Sequence, residues 1–168
     1  MSAEAPESVT AEYVRNNEAY AKTFHPQLPM SPAKHSAVIA CMDSRLDVFR
    51  ALGLKEGDSH VIRNAGGVVT DDVIRSLVIS QRLLGTDEVV LIHHTDCGML
   101  TFDSDEFAAK LEDETGARPT YSFETFSDLA DDVRAGIARI KADPHVPKRD
   151  NVRGFIFDVA TGKLNEVI

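Results

Sequence analysis

The sequence predicts a single α/β domain, a mostly parallel central sheet of about four to five strands flanked by helices, with a helical arm ahead of it. Three observations predict it. Short apolar runs rich in β-branched residues alternate with segments of helical period, the pattern of strand–helix–strand units. Glycines or prolines mark the ends of most of these segments. The 168 residues are 43% apolar, enough for one core of ordinary size. No repeat, low-complexity stretch or inter-domain linker interrupts the pattern.

Residues 9–24 (VTAEYVRNNEAYAKTF) place Val9, Tyr13, Val14, Tyr20 and Phe24 on a loose helical period. HPQLPMSP (25–32) holds three prolines and must be extended, which detaches that helix from the rest of the chain. Residues 1–34 are therefore read as a helix and proline-rich arm, suited to lying on a partner subunit, and residues 35–168 as the α/β domain. HSAVIACMD (35–43) reads as a buried strand, 44–53 as a short helix stopped by Gly53, and SHVIRNAGG (59–67) as a strand running into a glycine turn. Residues 70–84 carry Val73, Ile74, Leu77, Val78 and Leu84 on one helical face, with Asp71 and Asp72 in the first turn and Gly85 as the stop. DEVVLIHH (87–94) is a third buried strand. Helices follow at 104–115 and about 127–141; beyond Pro144 and Pro147, residues 153–168 read as two strands around an Ala-Thr-Gly turn.

Composition excludes several classes. A net charge of −9, a pI near 5.1 and scattered Lys and Arg argue against nucleic acid and against an anionic membrane surface. No apolar stretch approaches the roughly 20 residues that cross a bilayer, and the opening MSAEAPESVTAEYV lacks the layout of a secretion signal, so a cytoplasmic location is expected. A neutral small molecule is the easier guest for so acidic a chain.

The first and third strands end in Cys41-Met42-Asp43-Ser44-Arg45 and His93-His94-Thr95-Asp96-Cys97-Gly98. In a parallel sheet both ends emerge at one edge, where sites form. Thiolate and imidazole are good zinc ligands, and Cys, His and Cys would leave a fourth position for water or a carboxylate. Spacing alone leaves other readings open: buried thiols that merely pack, or a disulfide between Cys41 and Cys97, although a lone bridge is not expected in a reducing compartment. His93, next to His94 on a strand, should face the other side of the sheet and serve as a core or supporting residue. His25, His35, His60 and His145 lie away from these segments. Gly66 and Gly67 suit a tight turn better than a phosphate loop, because no lysine accompanies them. Asp96 is read as a charge beside the site or on the surface, and the acidic 103–114 stretch as a solvated helix face.

ACMDSRLD (40–47), RNAGG (63–67) and HTDCGM (94–99) resemble the three linked signatures of β-carbonic anhydrases, in the same order and on matching elements, over roughly residues 35–160. The resemblance implies an α/β fold, a homodimer or dimer of dimers, and one catalytic Zn2+ per subunit on Cys41, His94 and Cys97. It also implies that Asp43 and Arg45 form a dyad orienting zinc-bound hydroxide toward CO2, and that Asp43 can become a fourth ligand in a closed state. The chain departs from the family pattern at His93, Gly67 and Met99, and has Asp47-Val48-Phe49 where Pro-Glu is common. These departures resemble a divergent branch that includes small actinobacterial enzymes and is similar to carbonyl sulfide hydrolases. The expected reaction is hydration of CO2 to bicarbonate and a proton; carbonyl sulfide hydrolysis at the same zinc is the alternative, and a non-catalytic zinc module the lesser one.

Overall fold

A computed structural model describes residues 8–24 and 27–168. The opening segment 1–7 and His25, both part of the sequence reading, lie outside the described residues.

The elements run α1 (Val9–Ala21), β1 (Ser36–Cys41), α2 (Val48–Leu52), β2 (Ser59–Asn64), α3 (Asp71–Leu84), β3 (Glu88–His94), α4 (Ser104–Thr115), α5 (Leu129–Ala142), β4 (Val152–Phe157) and β5 (Leu164–Val167). The five strands form one sheet in the order β2-β1-β3-β4-β5. β1 pairs in parallel with β2 and β3, β3 pairs in parallel with β4, and β5 returns antiparallel as a hairpin edge. The expected α/β sheet is the observed one.

Period-two alternation assigns the two faces of the sheet. Ala37, Ile39, Val89 and Leu91 point to one side, where Val73 and Leu77 of α3 and Val133 and Ile140 of α5 complete the larger core. Val38, Ala40 and Ile92 point to the other, against Leu46, Val48 and Phe157. The helices obey their end signals: Thr70, Asp103 and Asp128 cap α3, α4 and α5 through their side chains, and left-handed glycines at 85 and 116 close α3 and α4. Helix α1 buries none of its residues; the Tyr20 hydroxyl donates to Glu56 Oε1 at 2.7 Å, a polar link to the sheet domain.

Two helix boundaries differ from the sequence reading by three residues or more. Helix α1 stops at Ala21, short of residue 24. Strand β2 stops at Asn64 and, as the sequence predicts, runs into a glycine turn: Ala65–Gly67 form a single 3-10 turn with Gly66 at φ 81°. Helix α2 starts at Val48, not 44, since Asp43 turns the intervening chain: its Oδ1 accepts from the Arg45 N–H at 2.8 Å and its carbonyl from the Leu46 N–H at 3.1 Å. Such local side-chain bonding competes with helix formation, and the helix begins only after Asp47 caps it.

Helix α5 lies so close to β4 that a Cβ on Gly154 would sit 2.2 Å from Val133 Cγ1 and 2.9 Å from Ile137 Cδ1. Gly154→Ala must therefore push the helix off the sheet. Overpacking of this kind costs about 1–3 kcal/mol, and a melting temperature several degrees lower is expected by differential scanning calorimetry. An unchanged melting temperature would show that the two elements are not in contact there.

Candidate metal centre

Cys41 and His94 are the last residues of β1 and β3. Because the strands are parallel neighbours, with Ala40 opposite Ile92, both side chains leave the sheet at the same edge. Cys97 follows across a two-residue loop whose Asp96 takes a left-handed φ of 55°. The two sulfurs and the His94 ring nitrogen all lie within 4.8 Å of one another, and the three residues are 4%, 3% and 1% exposed. Both cysteines are free thiols, which sets aside the disulfide reading.

Three observations test whether this triad suits a metal ion. His94 Nδ1 lies 2.9 Å from the Thr95 carbonyl, which can only accept, so Nδ1 carries the proton and Nε2 presents a lone pair. That Nε2 is buried and has no hydrogen-bond partner among the described residues, a costly arrangement unless something electrophilic uses it. The two thiols cannot both be anions alone. Burial pushes Cys41 up, yet His94 in its doubly protonated, cationic form and the Asp43 and Gly66 N–H groups outweigh it and hold the thiol below its ordinary value. Burial, then the nearby Cys41 charge, pushes Cys97 up to about 11. A cation between the sulfurs removes that conflict, and two sulfurs with one imidazole nitrogen are a donor set for a tetrahedral ion.

The triad lines a cavity of ≈ 350 Å³ whose other walls include Met42, Asp43, Gly66, Met99 and Phe102. Asp43 Oδ2 is 3.7 Å from His94 Nε2. Arg45 grips this carboxylate as a fork, Nε donating to Oδ1 at 3.0 Å and Nη2 to Oδ2 at 2.8 Å. The Arg45 side-chain and backbone N–H groups hold the Asp43 carboxyl well below the usual carboxylate range. The ionised form, and the stability the pair contributes, therefore persists as pH falls through about 4 and is lost only below that. The structure brings all five residues singled out in the sequence, Cys41, Asp43, Arg45, His94 and Cys97, to one place.

Sequence reasoning missed several supports. The Arg63 guanidinium donates to the Cys41 carbonyl at 2.9 and 2.7 Å and to the Asp43 carbonyl at 2.7 Å, fixing the loop that carries both residues. Arg45 also reaches Asp96, 51 positions along the chain. His93 does face away from the triad: its Nε2 is 2.6 Å from Asp132 Oδ2 on α5, and its ring packs 5.2 Å from Phe126. Gly67, at φ 72°, would place a Cβ 2.7 Å from the Cys41 nitrogen, so only glycine lets this turn reach the end of β1. Arg63 and Gly67 stand in the RNAGG segment already marked, but nothing local says what they touch.

The family description "carbonic anhydrase" matches residues 36–121. The chain is similar to Beta-carbonic anhydrase 1 of Mycobacterium tuberculosis, 62% identical over 160 residues covering 95% of this chain and 98% of that one. It is also similar to the carbon disulfide hydrolase of Saccharolobus solfataricus, 37% identical over 153 residues, covering 77% of this chain and 75% of the other. Among solved structures, the carbonic anhydrase of Streptococcus mutans superposes with a TM-score of 0.91 at 44% identity, covering 98% of this chain and 100% of that chain.

Proposed function

Because the chain belongs to the carbonic anhydrase family, as an enzyme of its β class, we propose that it binds one zinc ion on Cys41, His94 and Cys97 and catalyses the reversible hydration of CO2 to bicarbonate and a proton. The observation that carries this reading is the unpartnered lone pair of buried His94 Nε2, converging with two free thiols beside a clamped carboxylate. Bound there, zinc supplies the electrophile that brings the ionisation of a water molecule down toward neutrality.

Asp43 gives that water its orientation. A carboxylate kept ionised at every working pH can only accept, so the attacking water turns its hydrogen toward Asp43 and its lone pair into the cavity. Arg45 fixes the direction of that acceptor through its two-point grip. The mainly apolar walls given by Met42, Met99 and Phe102 admit a neutral triatomic molecule and offer a charged one little. Asp43 is also placed, 3.7 Å from His94 Nε2, to become a fourth ligand if its hold on Arg45 breaks.

Two thiolates donate more charge to the metal than neutral imidazoles would, which keeps the water's ionisation on the alkaline side of neutral. Stopped-flow CO2 hydration is expected to rise between pH 6.5 and 9 with one apparent ionisation, that of the water, since Asp43 is already charged throughout. A flat profile would contradict both this nucleophile and the closed state.

A second reading uses the same site to hydrolyse carbonyl sulfide to CO2 and hydrogen sulfide. The cavity's thioether and aromatic walls and the similarity to a carbon disulfide hydrolase support it. A sulfide-release assay beside CO2 hydration separates the two: turnover of carbonyl sulfide alone would replace the first reading. We further propose a homodimer or dimer of dimers, with the exposed apolar residues of α1 covered by a second copy. Light scattering reads the mass directly. No helix among the described residues is long and apolar enough to cross a membrane, and two free ligand thiols suit the reducing cytoplasm.

A further inference from the structure

We propose that Asp96 is a positioning residue, which anchors Arg45 and through it holds Asp43 off the metal; this rests on the proposed role of Asp43 in orienting water. Arg45 divides its guanidinium between two carboxylates. Nε and Nη2 serve Asp43, while Nη1 donates to Asp96 Oδ2 at 2.6 Å and Nη2 also to the Asp96 carbonyl at 2.9 Å.

The two halves of this arrangement are not equivalent. Asp43 and Arg45 lie two residues apart on the loop after β1 and could move together without breaking their bonds. Asp96 belongs to the loop after β3, between His94 and Cys97, so its bonds are the ones that tie the pair to the opposite ligand-bearing loop. Asp96 makes them from a left-handed backbone, φ 55°, that few residues other than glycine, asparagine and aspartate adopt readily. There, its carboxylate and its own carbonyl both meet the same guanidinium.

An exposed ion pair contributes little stability, and the Asp96 side chain is 78% exposed. Its value lies in position instead. Misplacing a catalytic group by an ångström can cost much of its effect, and Asp43 Oδ2 already sits 3.7 Å from His94 Nε2. With Arg45 cut loose from the second loop, Asp43 gains the freedom to close that gap and take the position the water needs.

Asp96→Gly deletes the carboxylate without backbone strain, since glycine accepts a positive φ. Asp96→Asn keeps an acceptor for Nη1 but removes its charge. Cobalt-substituted protein titrated with azide, followed by visible absorption, reports whether the fourth metal position is exchangeable independently of turnover. For the glycine variant we expect azide affinity about tenfold weaker and kcat for CO2 hydration about tenfold lower with KM little changed, as befits loss of one charge-assisted contact. The asparagine variant should recover part of both losses, a graded response that disruption of the fold would not give. Azide affinity unchanged in the glycine variant overturns the proposal whatever the hydration rate does. Absence of CO2 hydration in the unaltered protein would instead count against the proposed function, and the azide readout would still stand.

Discussion

Asp43→Ala is expected to lower kcat for CO2 hydration on the order of 10²-fold or more while zinc content stays at about one per chain. The two parts of that expectation have separate origins. Zinc stays because the proposed ligand atoms of Cys41, His94 and Cys97 already converge within 4.8 Å, whereas Asp43 gives both its oxygens to Arg45. Turnover falls because Asp43, whose Oδ2 sits 3.7 Å from His94 Nε2, is the carboxylate that would accept the water's hydrogen and aim its lone pair. KM should move little, as CO2 is a neutral guest of the apolar walls. Asp43→Asn should be nearly as damaging: the amide keeps the shape but brings N–H donors where an acceptor is needed. The fold should survive both changes, since a partly exposed pair such as Asp43–Arg45, with Arg45 45% exposed, contributes little stability. Metal analysis and stopped-flow kinetics on the same preparation check it. Full turnover in Asp43→Ala would remove the dyad from the mechanism, and retained zinc without turnover in the unaltered chain would favour a non-catalytic zinc module.

The second large effect concerns the metal. Cys97→Ser should reduce bound zinc from about one per chain to a trace and bring CO2 hydration down to the uncatalysed background. A serine hydroxyl stays protonated near neutral pH and is a poor zinc ligand, and the remaining Cys41 and His94 form an incomplete set. Without metal, burial and the Cys41 charge already push the Cys97 thiol up to about 11, so the empty pair of sulfurs resists double ionisation. Zinc binding must therefore release protons and weaken as pH falls, and removing zinc with a chelator should lower the melting temperature of the unaltered protein more than that of Cys97→Ser. Equal zinc content in the two proteins would mean that Cys97 is no ligand.

The elements of this fold and the ends that carry the proposed ligands were legible because their signals are local. A β-branched run followed by Cys-Met-Asp-Ser-Arg, or by His-Thr-Asp-Cys-Gly, states both the strand and what leaves it. Parallel pairing then brings Cys41 and His94 to one edge. The supports were not legible, because they join positions that only the finished sheet makes neighbours: Arg45 with Asp96 across 51 positions, His93 with Asp132 across 39, and Arg63 with the Cys41 carbonyl across 22. Helical and strand periods assign faces but not which loop leans on which. The overlong reading of α2 has a different cause: the hydrogen bonds Asp43 makes to its own loop hold residues 44–47 out of the helix, and a count of helix-favouring residues does not register them. Met99 stands out in the sequence only as a departure from the family pattern and Phe102 not at all, yet both line the cavity.

The central claim is a zinc ion held by two sulfurs and one imidazole, and X-ray absorption at the zinc edge on protein purified without added metal tests it most directly. The account predicts about one zinc per chain, two sulfur neighbours near 2.3 Å, and nitrogen or oxygen neighbours at about 2.0–2.1 Å completing four-coordination. Metal-free protein that turns over CO2, or a zinc shell without sulfur, would contradict it.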